Sequence, residues 1–398
     1  MLMDTNIIFL DDYTWDELRP LTLTRPVSEI RIGILTVREK WMRYLHGSEY
    51  SYITRDYLSK RFQLGPSESN LIINSAVLPD FKIAEEILKL QPSQLLLKEG
   101  SFIAANSSMD QINDIVSGNS DAFIAKEYTS EVVVLKSFCD IFSFNAQEII
   151  KDFELFCKNR RSQQLSKSNN VIGTNQVFIE EGAVVECCTI NVNDGPVYIG
   201  KDAEVMEGCL IRGPFAMGEH SSLKMGAKIY GGTTIGPHCK VGGEVNNSVF
   251  FGYSNKAHDG FLGNSVIGEW VNIGADSNNS NLKNNYAPVK MWNYGKKRFV
   301  NTGLTFAGLI MGDHSKCSIN TMFNTGTVCG VSCNLYGAGF HRNFIPSFTW
   351  GSPAGYSRFD FNKAFEVAEI MMKRRGLTPE ESEKEILHHL FSQSEEGI

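Results

Sequence analysis

The chain lacks the features that would place it in a membrane, in a disulfide-bonded class or on nucleic acid. No apolar run long enough to cross a bilayer occurs among its 398 residues, which argues against a membrane-spanning helix. Its nine cysteines form no CxxC pair and no Cys/His knuckle, so neither a disulfide framework nor a structural zinc site is expected. Lys+Arg 38 against Asp+Glu 45 gives a net charge of −7, which does not suit a strongly cationic nucleic-acid binder.

The opening residues and the cysteines together predict a compartment. The start, MLMDTNIIFLDD, holds a short apolar run with no basic lead and an acidic end, unlike a secretory signal. Unpaired thiols are typical of a reducing environment. We therefore expect a soluble, cytoplasmic protein that is not exported and binds neither membrane nor nucleic acid.

The sequence over 1–165 predicts an α/β layer domain. Short apolar runs such as IIFL, LIIN and VVVL alternate with helical stretches, as in a sheet covered by helices. The clearest helix is predicted over 146–156, with Asn145 as its N-cap and Glu148 completing a capping box.

From Ile172 onward the sequence shows a spacing of six. Aliphatic side chains recur at every sixth position, and most are followed four positions later by a small residue; they are Ile199, Val205, Ile211, Met217, Leu223, Ile229, Ile235 and Val241. An earlier tract has Ile172, Phe178, Val184 and Ile190, and a later one has Met311, Cys317, Phe323, Cys329 and Leu335.

Neither a helix nor a simple strand produces this spacing, whereas a polygonal parallel β-coil does. Each flat face supplies one large inward side chain, and each corner needs a small residue. Ordinary short strands that share the spacing by coincidence are the alternative, which seventeen such positions in three tracts disfavour. We predict three regions: an α/β domain over 1–165, a β-coil over 166–355 and a helical tail over 356–398.

The period fails at 243–260 and at 276–303, and loops held by a rigid scaffold often carry function. The first break contains His258, whose side-chain type accepts protons near neutral pH, although an isolated loop histidine is commonly without function. The second break is locally basic, with Lys283 and Arg298 among its cations. This charge fits an anionic ligand or a solvated loop about equally well.

An ordered set of short motifs in this region resembles a known family. It comprises His258, Leu262-Gly263, Ile267-Gly268, the run from Val271 to Ala275, and Asn281. The hexads resemble those of left-handed β-helix acyltransferases. The motif set is similar to the acetyltransferase half of the bifunctional UDP-N-acetylglucosamine pyrophosphorylase / glucosamine-1-phosphate N-acetyltransferase (GlmU-like) family. The resemblance implies a left-handed parallel β-helix.

This resemblance also implies an activity and a site. The reaction would be acetyl transfer from acetyl-CoA to the amine of a hexosamine 1-phosphate, within UDP-N-acetylglucosamine biosynthesis. His258 matches the family's base, and Asn272 and Asn281 match residues that hold the substrate. Lys256, Lys283 and Arg298 are candidates for binding the sugar phosphate. A homotrimer with sites shared between neighbours is implied as well. Phe261 stands where the family often has Tyr, which leaves the identity of the acceptor open.

The segment from Leu18 to Pro26, LRPLTLTRP, resembles the opening of sugar-phosphate nucleotidyltransferases, which implies a Rossmann-type α/β domain. The family's Gly-rich loop is absent, and Val27 replaces its Lys. If this domain is active, UTP or another NTP would bind at Arg19, Thr22 and Arg25. Asp11 or Asp12 would then hold Mg²⁺. The alternative is a degenerate domain kept for folding or binding.

Three functions are therefore open at this point. The first is an acetyl-CoA-dependent N-acetyltransferase acting on an amino-sugar 1-phosphate, with a degenerate nucleotidyltransferase-like domain. The second places the main activity in that domain, which would join an NTP and a sugar 1-phosphate with release of pyrophosphate. The third is a trimer that binds nucleotide sugars without catalysis. The motif around His258 favours the first, and the missing Gly-rich loop disfavours the second.

Overall fold

The computed structural model describes residues 6–394. The chain forms two compact units. The first contains the chain up to Leu18, Arg25–Ile30 and Leu35–Lys136, and the second contains Arg19–Thr24, Arg31–Ile34 and the chain from Ser137 onward. The boundary predicted at position 165 differs from this division, because the segment 137–165 groups with the second unit.

The first unit is built on a six-stranded mixed sheet, as expected for an α/β layer domain. Its central strand Asn6–Leu10 pairs in parallel with Tyr50–Ile53 and Ser69–Asn74. Ile7, Ile8 and Phe9 are all buried, as in a strand covered on both faces. Across the sheet, in order, the strands are Tyr50–Ile53, Asn6–Leu10, Ser69–Asn74, Ser101–Ser108, Gln94–Lys98 and Ile124–Glu127.

Short helices and strands complete this unit. Thr36 caps the helix Val37–Tyr44, accepting a hydrogen bond from the Glu39 amide while the Glu39 carboxylate accepts one from the Thr36 amide, which is a capping box. The α-helices are Thr14–Glu17, Val37–Tyr44, Phe81–Leu88 and Ile112–Ser117, and the remaining strands are Leu35–Thr36, Val77–Leu78 and Val133–Val134.

The second unit is a parallel β-helix with three faces, confirming the predicted coil. Face A contains Asn170–Ile172, Thr189–Asn191, Leu210–Arg212, Lys228–Ile229, Glu244–Asn246 and Phe261–Gly263. Face B contains Val177–Ile179, Val197–Ile199, Phe215–Met217, Thr233–Ile235, Val249–Gly252, Val266–Glu269, Leu309–Met311, Thr327–Cys329 and Phe344–Ile345. Face C contains Val184–Val185, Glu204–Val205, Ser222–Leu223, Lys240–Val241, Asn255–Lys256, Asn272–Ile273, Lys316–Cys317, Asn334–Leu335, Thr349–Ser352 and Gly355–Arg358, the last of them antiparallel.

The side chains predicted to face inward in the main tract do so. All eight aliphatic positions from Ile199 to Val241 are buried in one continuous core, as are all five of the later tract from Met311 to Leu335. Ser222 pairs with Lys240, and this interval is three times the predicted period of six, as expected for a coil with three faces. Because each inner residue stacks on its equivalent in the next coil, the spacing follows from the packing.

The earliest tract departs from the predicted register at three of its four positions, whereas Ile190 lies in the core as predicted. Val184 is 52% exposed, whereas the neighbouring Val185 is 5% exposed and lies in the core. Ile172 is exposed too, and Ile179 rather than Phe178 belongs to the core. The first coil is longer than the regular ones, since Val185 pairs with Val205, beyond the regular interval. A shift of a single position moves a strand side chain to the opposite face, so a strict count of six fails there.

The first predicted break is not an extruded loop. The coil continues through 243–260 with a shorter turn, since Thr234 pairs with Val249 and Lys240 pairs with Asn255, in each case before a full regular interval has passed. Only the spacing of six is lost. The corners, not the strands, have been shortened.

The second break does leave the coil. The strand Asn278–Asn279 pairs with Met322–Phe323, and between them the chain forms an antiparallel hairpin of Lys290–Asn293 with Arg298–Asn301. Ile267 pairs directly with Met311, although more than two regular coil lengths of chain separate them. An insertion of more than one coil length therefore leaves the regular coil at this point.

One long helix packs on the β-helix. It spans Phe138–Cys157 and is capped by Ser137 rather than by Asn145, so the predicted start was wrong. Asn145 is fully buried in mid-helix, where its amide nitrogen donates to Gly232 O and Thr234 Oγ1. The sequence suggested that this polar side chain caps the helix. In the structure its hydrogen bonds join the middle of the helix to the β-helix instead.

Two helices end the described chain, confirming the helical tail. They span Phe361–Lys373 and Glu381–Gln393, and Gly376 takes a left-handed conformation (φ 73°) after the first of them, as is typical of a helix C-terminus. Among residues 6–394, no helix combines the length and apolar character that crossing a bilayer requires.

Candidate active site on the β-helix

His258 lies at a corner of the β-helix. The chain bends at 258–260 between Asn255–Lys256 on face C and Phe261–Gly263 on face A. The His258 side chain is exposed. The bend needs glycine at position 260, where φ is +115° and a Cβ would overlap the carbonyl oxygen of Ser277 in the next coil. A short and tightly packed corner thus presents an imidazole to solvent.

Phe261, Gly263 and Asn281 come together on face A. A Cβ on Gly263 would lie 2.6 Å from the Phe261 ring and 2.7 Å from Asn281 Nδ2, so both side chains reach the same point above the sheet. Asn281 Nδ2 donates to Asn264 Oδ1 at 2.8 Å. The amide nitrogen of Phe261 donates to Asn278 Oδ1 at 2.8 Å. The structure therefore places the predicted site residue Asn281 beside Phe261, which follows His258 by three positions in the chain.

Asn272 lies on a different face. It is on face C, where its Oδ1 accepts a 3.5 Å hydrogen bond from Asn255 Nδ2. The Oδ1 of Asn255 accepts in turn from Arg375 Nη2 at 3.1 Å. Within one chain, Asn272 and Asn281 therefore occupy separate surfaces of the β-helix.

Lys256 was predicted to bind the sugar phosphate, and its placement disagrees with that role. It is 1% exposed and points into the β-helix. Its ammonium donates to Gly242 O at 3.0 Å and to His258 O at 2.8 Å. Burial lowers its pKa to about 8, although Asp259 and Asp276 favour the charged form. Both hydrogen bonds serve the coil rather than a ligand at the surface.

The other two predicted cations lie in the insertion. Lys283 follows closely on Asn281 and is half-buried, with its ammonium donating to Pro288 O at 3.3 Å. Arg298 is exposed at the start of the second hairpin strand. Within residues 6–394 its guanidinium makes no hydrogen bond to another predicted site residue. Of these two cations, Lys283 is therefore the one nearer to Asn281 in the chain.

The predicted nucleotide-binding residues are divided between the two units. In the second unit, the Arg19 guanidinium lies 5.4 Å from the centre of the Tyr294 ring, and Thr22 is fully buried. The next threonine, Thr24, donates to Asp313 Oδ2 at 2.7 Å. Arg25 belongs to the first unit and is 6% exposed. Most of the LRPLTLT segment is thus built into the β-helix unit.

The two predicted metal ligands are occupied by donors from their own unit. Asp11 accepts from the Val27 amide at 3.0 Å and from Thr54 Oγ1 at 2.7 Å, and burial raises its pKa to about 7. Asp12 accepts from the Thr14 amide and hydroxyl and from Asn74 Nδ2. These donors take up part of the acceptor capacity of both carboxyl groups, and burial disfavours the charged form of Asp11, the form that would bind Mg²⁺. No group of three or more ligand side chains suited to a metal occurs in the described residues.

A ladder of asparagines at the corner between faces A and B was not predicted. Asn264 links Asn281 to Asn247: with the Asn247 amide oriented to suit its neighbours, Asn264 Nδ2 donates to its oxygen at 3.0 Å. A cavity of about 460 Å³ borders Asn247 and Asn264, together with Phe142, Ser143 and the segment 303–306. The three asparagines are spaced by one shortened coil each, a repeat that a search for multiples of six does not detect.

The amino-terminal part of the chain is similar to a known protein family. Residues 7–161 match the model of the sugar nucleotidyl transferase family. The matched span covers most of the first unit and also residues 137–161 of the second unit. The predicted resemblance to the GlmU-like bifunctional proteins is confirmed by curated relatives.

Those relatives match this chain over limited segments. A bifunctional sugar-1-phosphate nucleotidylyltransferase/acetyltransferase of Sulfurisphaera tokodaii is 32% identical over 144 residues, covering 36% of this chain and 35% of that protein. The bifunctional protein GlmU of Gloeobacter violaceus is 32% identical over 79 residues, covering 19% of this chain and 17% of that protein. The chain thus spans about a third or less of the length of these relatives. Among solved structures, the polysialic acid-specific acetyltransferase NeuO is 14% identical with a TM-score of 0.28, covering 52% of this chain and 100% of that one.

Proposed function

We propose that this protein is a cytoplasmic acetyltransferase that transfers the acetyl group of acetyl-CoA to the amine of an amino-sugar 1-phosphate, such as glucosamine 1-phosphate. The product would serve the synthesis of a nucleotide sugar such as UDP-N-acetylglucosamine. The observation that carries the proposal is the exposed imidazole of His258, on a tight corner of the β-helix three residues before Phe261, whose ring meets Asn281 above face A.

The chemistry requires a base at this point. An alkylammonium must lose its proton before its nitrogen can attack the thioester carbonyl, and a positioned histidine accelerates such a step by roughly 10²- to 10⁴-fold. His258 takes a proton from the amine as the C–N bond forms. When the tetrahedral intermediate collapses, the C–S bond breaks, and the imidazolium returns the proton to the CoA thiolate. Because the ammonium has first released one proton to solvent, the sum is an amide, free CoA, that one released proton and an unchanged enzyme.

Substrate positioning falls to face A. Asn281 offers amide hydrogen-bonding groups beside the Phe261 ring, an arrangement that suits the polar edge and apolar face of a sugar ring. Lys283, which follows closely in the chain, supplies positive charge for the phosphate. Holding the amine and the thioester together lowers the entropic part of the barrier.

We further propose that the site is completed in a homotrimer. Asn272 lies on face C and Asn281 lies beside face A, so one chain does not present both to the same ligand. A symmetric assembly in which face C of one copy approaches face A of the next would bring the two asparagines together. Ring symmetry of this kind closes with identical interfaces throughout.

A second candidate function is nucleotidyl transfer by the amino-terminal domain, which the family match favours. The local chemistry is less favourable. Asp11 and Asp12 accept hydrogen bonds from their own unit, Thr22 is buried, and Val27 stands where a lysine is expected. We propose acetyl transfer as the principal activity and a structural or binding role for this domain.

A thiol-release assay tests the proposal. The protein is incubated with acetyl-CoA and a panel of amino sugars, with and without 1-phosphate, and free CoA is measured; a parallel assay follows pyrophosphate release from UTP and a sugar 1-phosphate. We expect thiol release with an amino-sugar 1-phosphate and little pyrophosphate. Pyrophosphate without thiol release would make nucleotidyl transfer the main activity. Binding of nucleotide sugars with neither product would favour a non-catalytic role.

A further inference from the structure

One charged side chain occupies the inner column of face C, which is otherwise apolar from Leu223 to Leu335. The column contains Lys256 together with Leu223, Val241, Ile273, Cys317 and Leu335. Val241 and Lys256 are direct partners in adjacent strands. An ammonium therefore stands where the coil before it and the coil after it place an aliphatic group.

Burying this charge has a free-energy cost that an apolar side chain would avoid. The cost is reduced locally, since two carbonyl oxygens accept from the ammonium and the carboxylates of Asp259 and Asp276 stabilise its charge. Replacing a buried charge by an apolar group of similar size is often neutral or stabilising. Core packing alone thus gives no reason for a lysine at this position.

The two hydrogen bonds of Lys256 suggest a reason. One goes back to the carbonyl of Gly242 in the preceding coil, and the other goes forward to the carbonyl of His258 itself. The ammonium thereby ties the bend that carries His258 to the regular coil beside it. His258 is exposed, and within the described chain no hydrogen bond holds its imidazole, so its position depends on its main chain.

We propose that Lys256 is a positioning residue for His258, holding the bend at 258–260 from inside the β-helix. This inference rests on the proposed function, in which the His258 imidazole must meet an amine. Lys256 touches no substrate. Its contribution is to fix the main chain from which the base projects, and a displacement of about 1 Å at such a base can cost up to about a hundredfold in rate.

The test compares two variants of the full chain. In Lys256→Met, a similar volume is kept while both hydrogen bonds are lost. We expect kcat for acetyl transfer to fall by about ten- to a hundredfold, with KM for acetyl-CoA unchanged and a melting temperature equal to or above that of the wild type. The matched control is Leu223→Ala, two coils earlier in the same inner column. It should melt at a lower temperature and keep its kcat at room temperature.

A second readout does not depend on activity. Amide hydrogen exchange at 257–261 should accelerate at least tenfold in Lys256→Met, while exchange in the strands of 222–241 stays unchanged. The positioning role is overturned if Lys256→Met keeps the wild-type kcat, and the anchoring of the bend is overturned if it keeps the wild-type exchange. The positioning role is also overturned if kcat falls only in step with the melting temperature, as expected for a purely structural role.

His258→Ala, measured in parallel, separates this inference from the proposed function. The proposed function fails if His258→Ala keeps its turnover or if the wild type transfers no acetyl group. In that case hydrogen exchange still tests the anchoring of the bend, which unchanged exchange in Lys256→Met would overturn. If His258→Ala is inactive while Lys256→Met has a normal kcat, the positioning role alone is contradicted.

Discussion

The coils of the β-helix differ before and after Gly242. From Ile199 to Val241, each coil has three faces of the regular length and its inner positions are apolar. From Gly242 to Asn281, every coil is shorter than this regular length. In these shorter coils, Lys256 and Asn279 take inward places and donate to main-chain carbonyl oxygens.

This difference shows how a repeating scaffold can hold an irregular site. At a shortened corner, some main-chain carbonyl groups do not accept the hydrogen bond that a regular adjacent coil would donate. Buried polar groups need such partners. Lys256 supplies such partners at the corner of His258, and Asn279 does so at Gly263, beside Phe261 and Asn281. The irregular coils are therefore the part of the β-helix where polar chemistry is built into the core.

The largest effect is expected from glycine substitutions at the corners. In Gly260→Ala, the new methyl group would overlap Ser277 O at a φ of +115°, and we expect a loss of roughly 3 kcal/mol of unfolding free energy. Gly226 is the matched corner of the regular coils, with a φ of +70° and open space around it. Gly226→Ala should cost only about 1 kcal/mol. Urea unfolding measures both, and equal losses would mean that the His258 corner is no tighter than the others.

A smaller effect is expected from the pH dependence of Lys256. Its pKa in the fold is about 8, below the ordinary value of 10.5, so between these values the unfolded chain holds more protons and the stability of the fold rises with pH. Lys256→Met should therefore exceed the wild type in stability most clearly at pH 7.5. By pH 10 that advantage should shrink by about 2 kcal/mol.

This comparison cancels the titration of groups that do not interact with Lys256, whereas Asp259, Asp276 and Cys317, which surround the ammonium, experience its charge only in the wild type. Urea unfolding at the two pH values provides the measurement. A stability difference that does not change with pH would show that Lys256 keeps its ordinary pKa, in contradiction to its burial.

The smallest effect is expected at Asn281. Asn281→Ala removes amide groups beside Phe261, and we expect kcat/KM for the amino sugar to fall about tenfold, the size of one hydrogen bond. Asn191→Ala, on face A of an early coil, should have no effect. If the two variants lose activity equally, face A near Phe261 is not the substrate surface.

Much of the β-helix could be predicted from the sequence, because its inner residues repeat wherever the coil is regular. The prediction failed at Val184, where an enlarged coil changes which strand residue faces inward. It failed again at 243–260, where a shorter coil was interpreted as a loop. A fixed period describes only coils of constant length, and insertions or deletions at corners change the count without changing the fold.

The candidate site was predictable in part. The motif containing His258 located the corner, and the structure places that histidine on the surface. The inward direction of Lys256 could not be read from a sequence in which it sits just before the histidine, because lysines are rarely buried. Likewise, the sequence could not show that Asn145 donates to Gly232 O or that Thr24 donates to Asp313 Oδ2. Both hydrogen bonds join distant parts of the chain.

The central claim is tested most directly by the rate of acetyl transfer in His258→Ala beside His220→Ala. His220 is also an exposed histidine at a corner, but of a regular coil. We predict that His258→Ala lowers turnover of acetyl-CoA and an amino-sugar 1-phosphate by at least about a hundredfold, with an unchanged melting temperature, while His220→Ala retains the wild-type rate. Turnover of His258→Ala within twofold of the wild type would contradict the account.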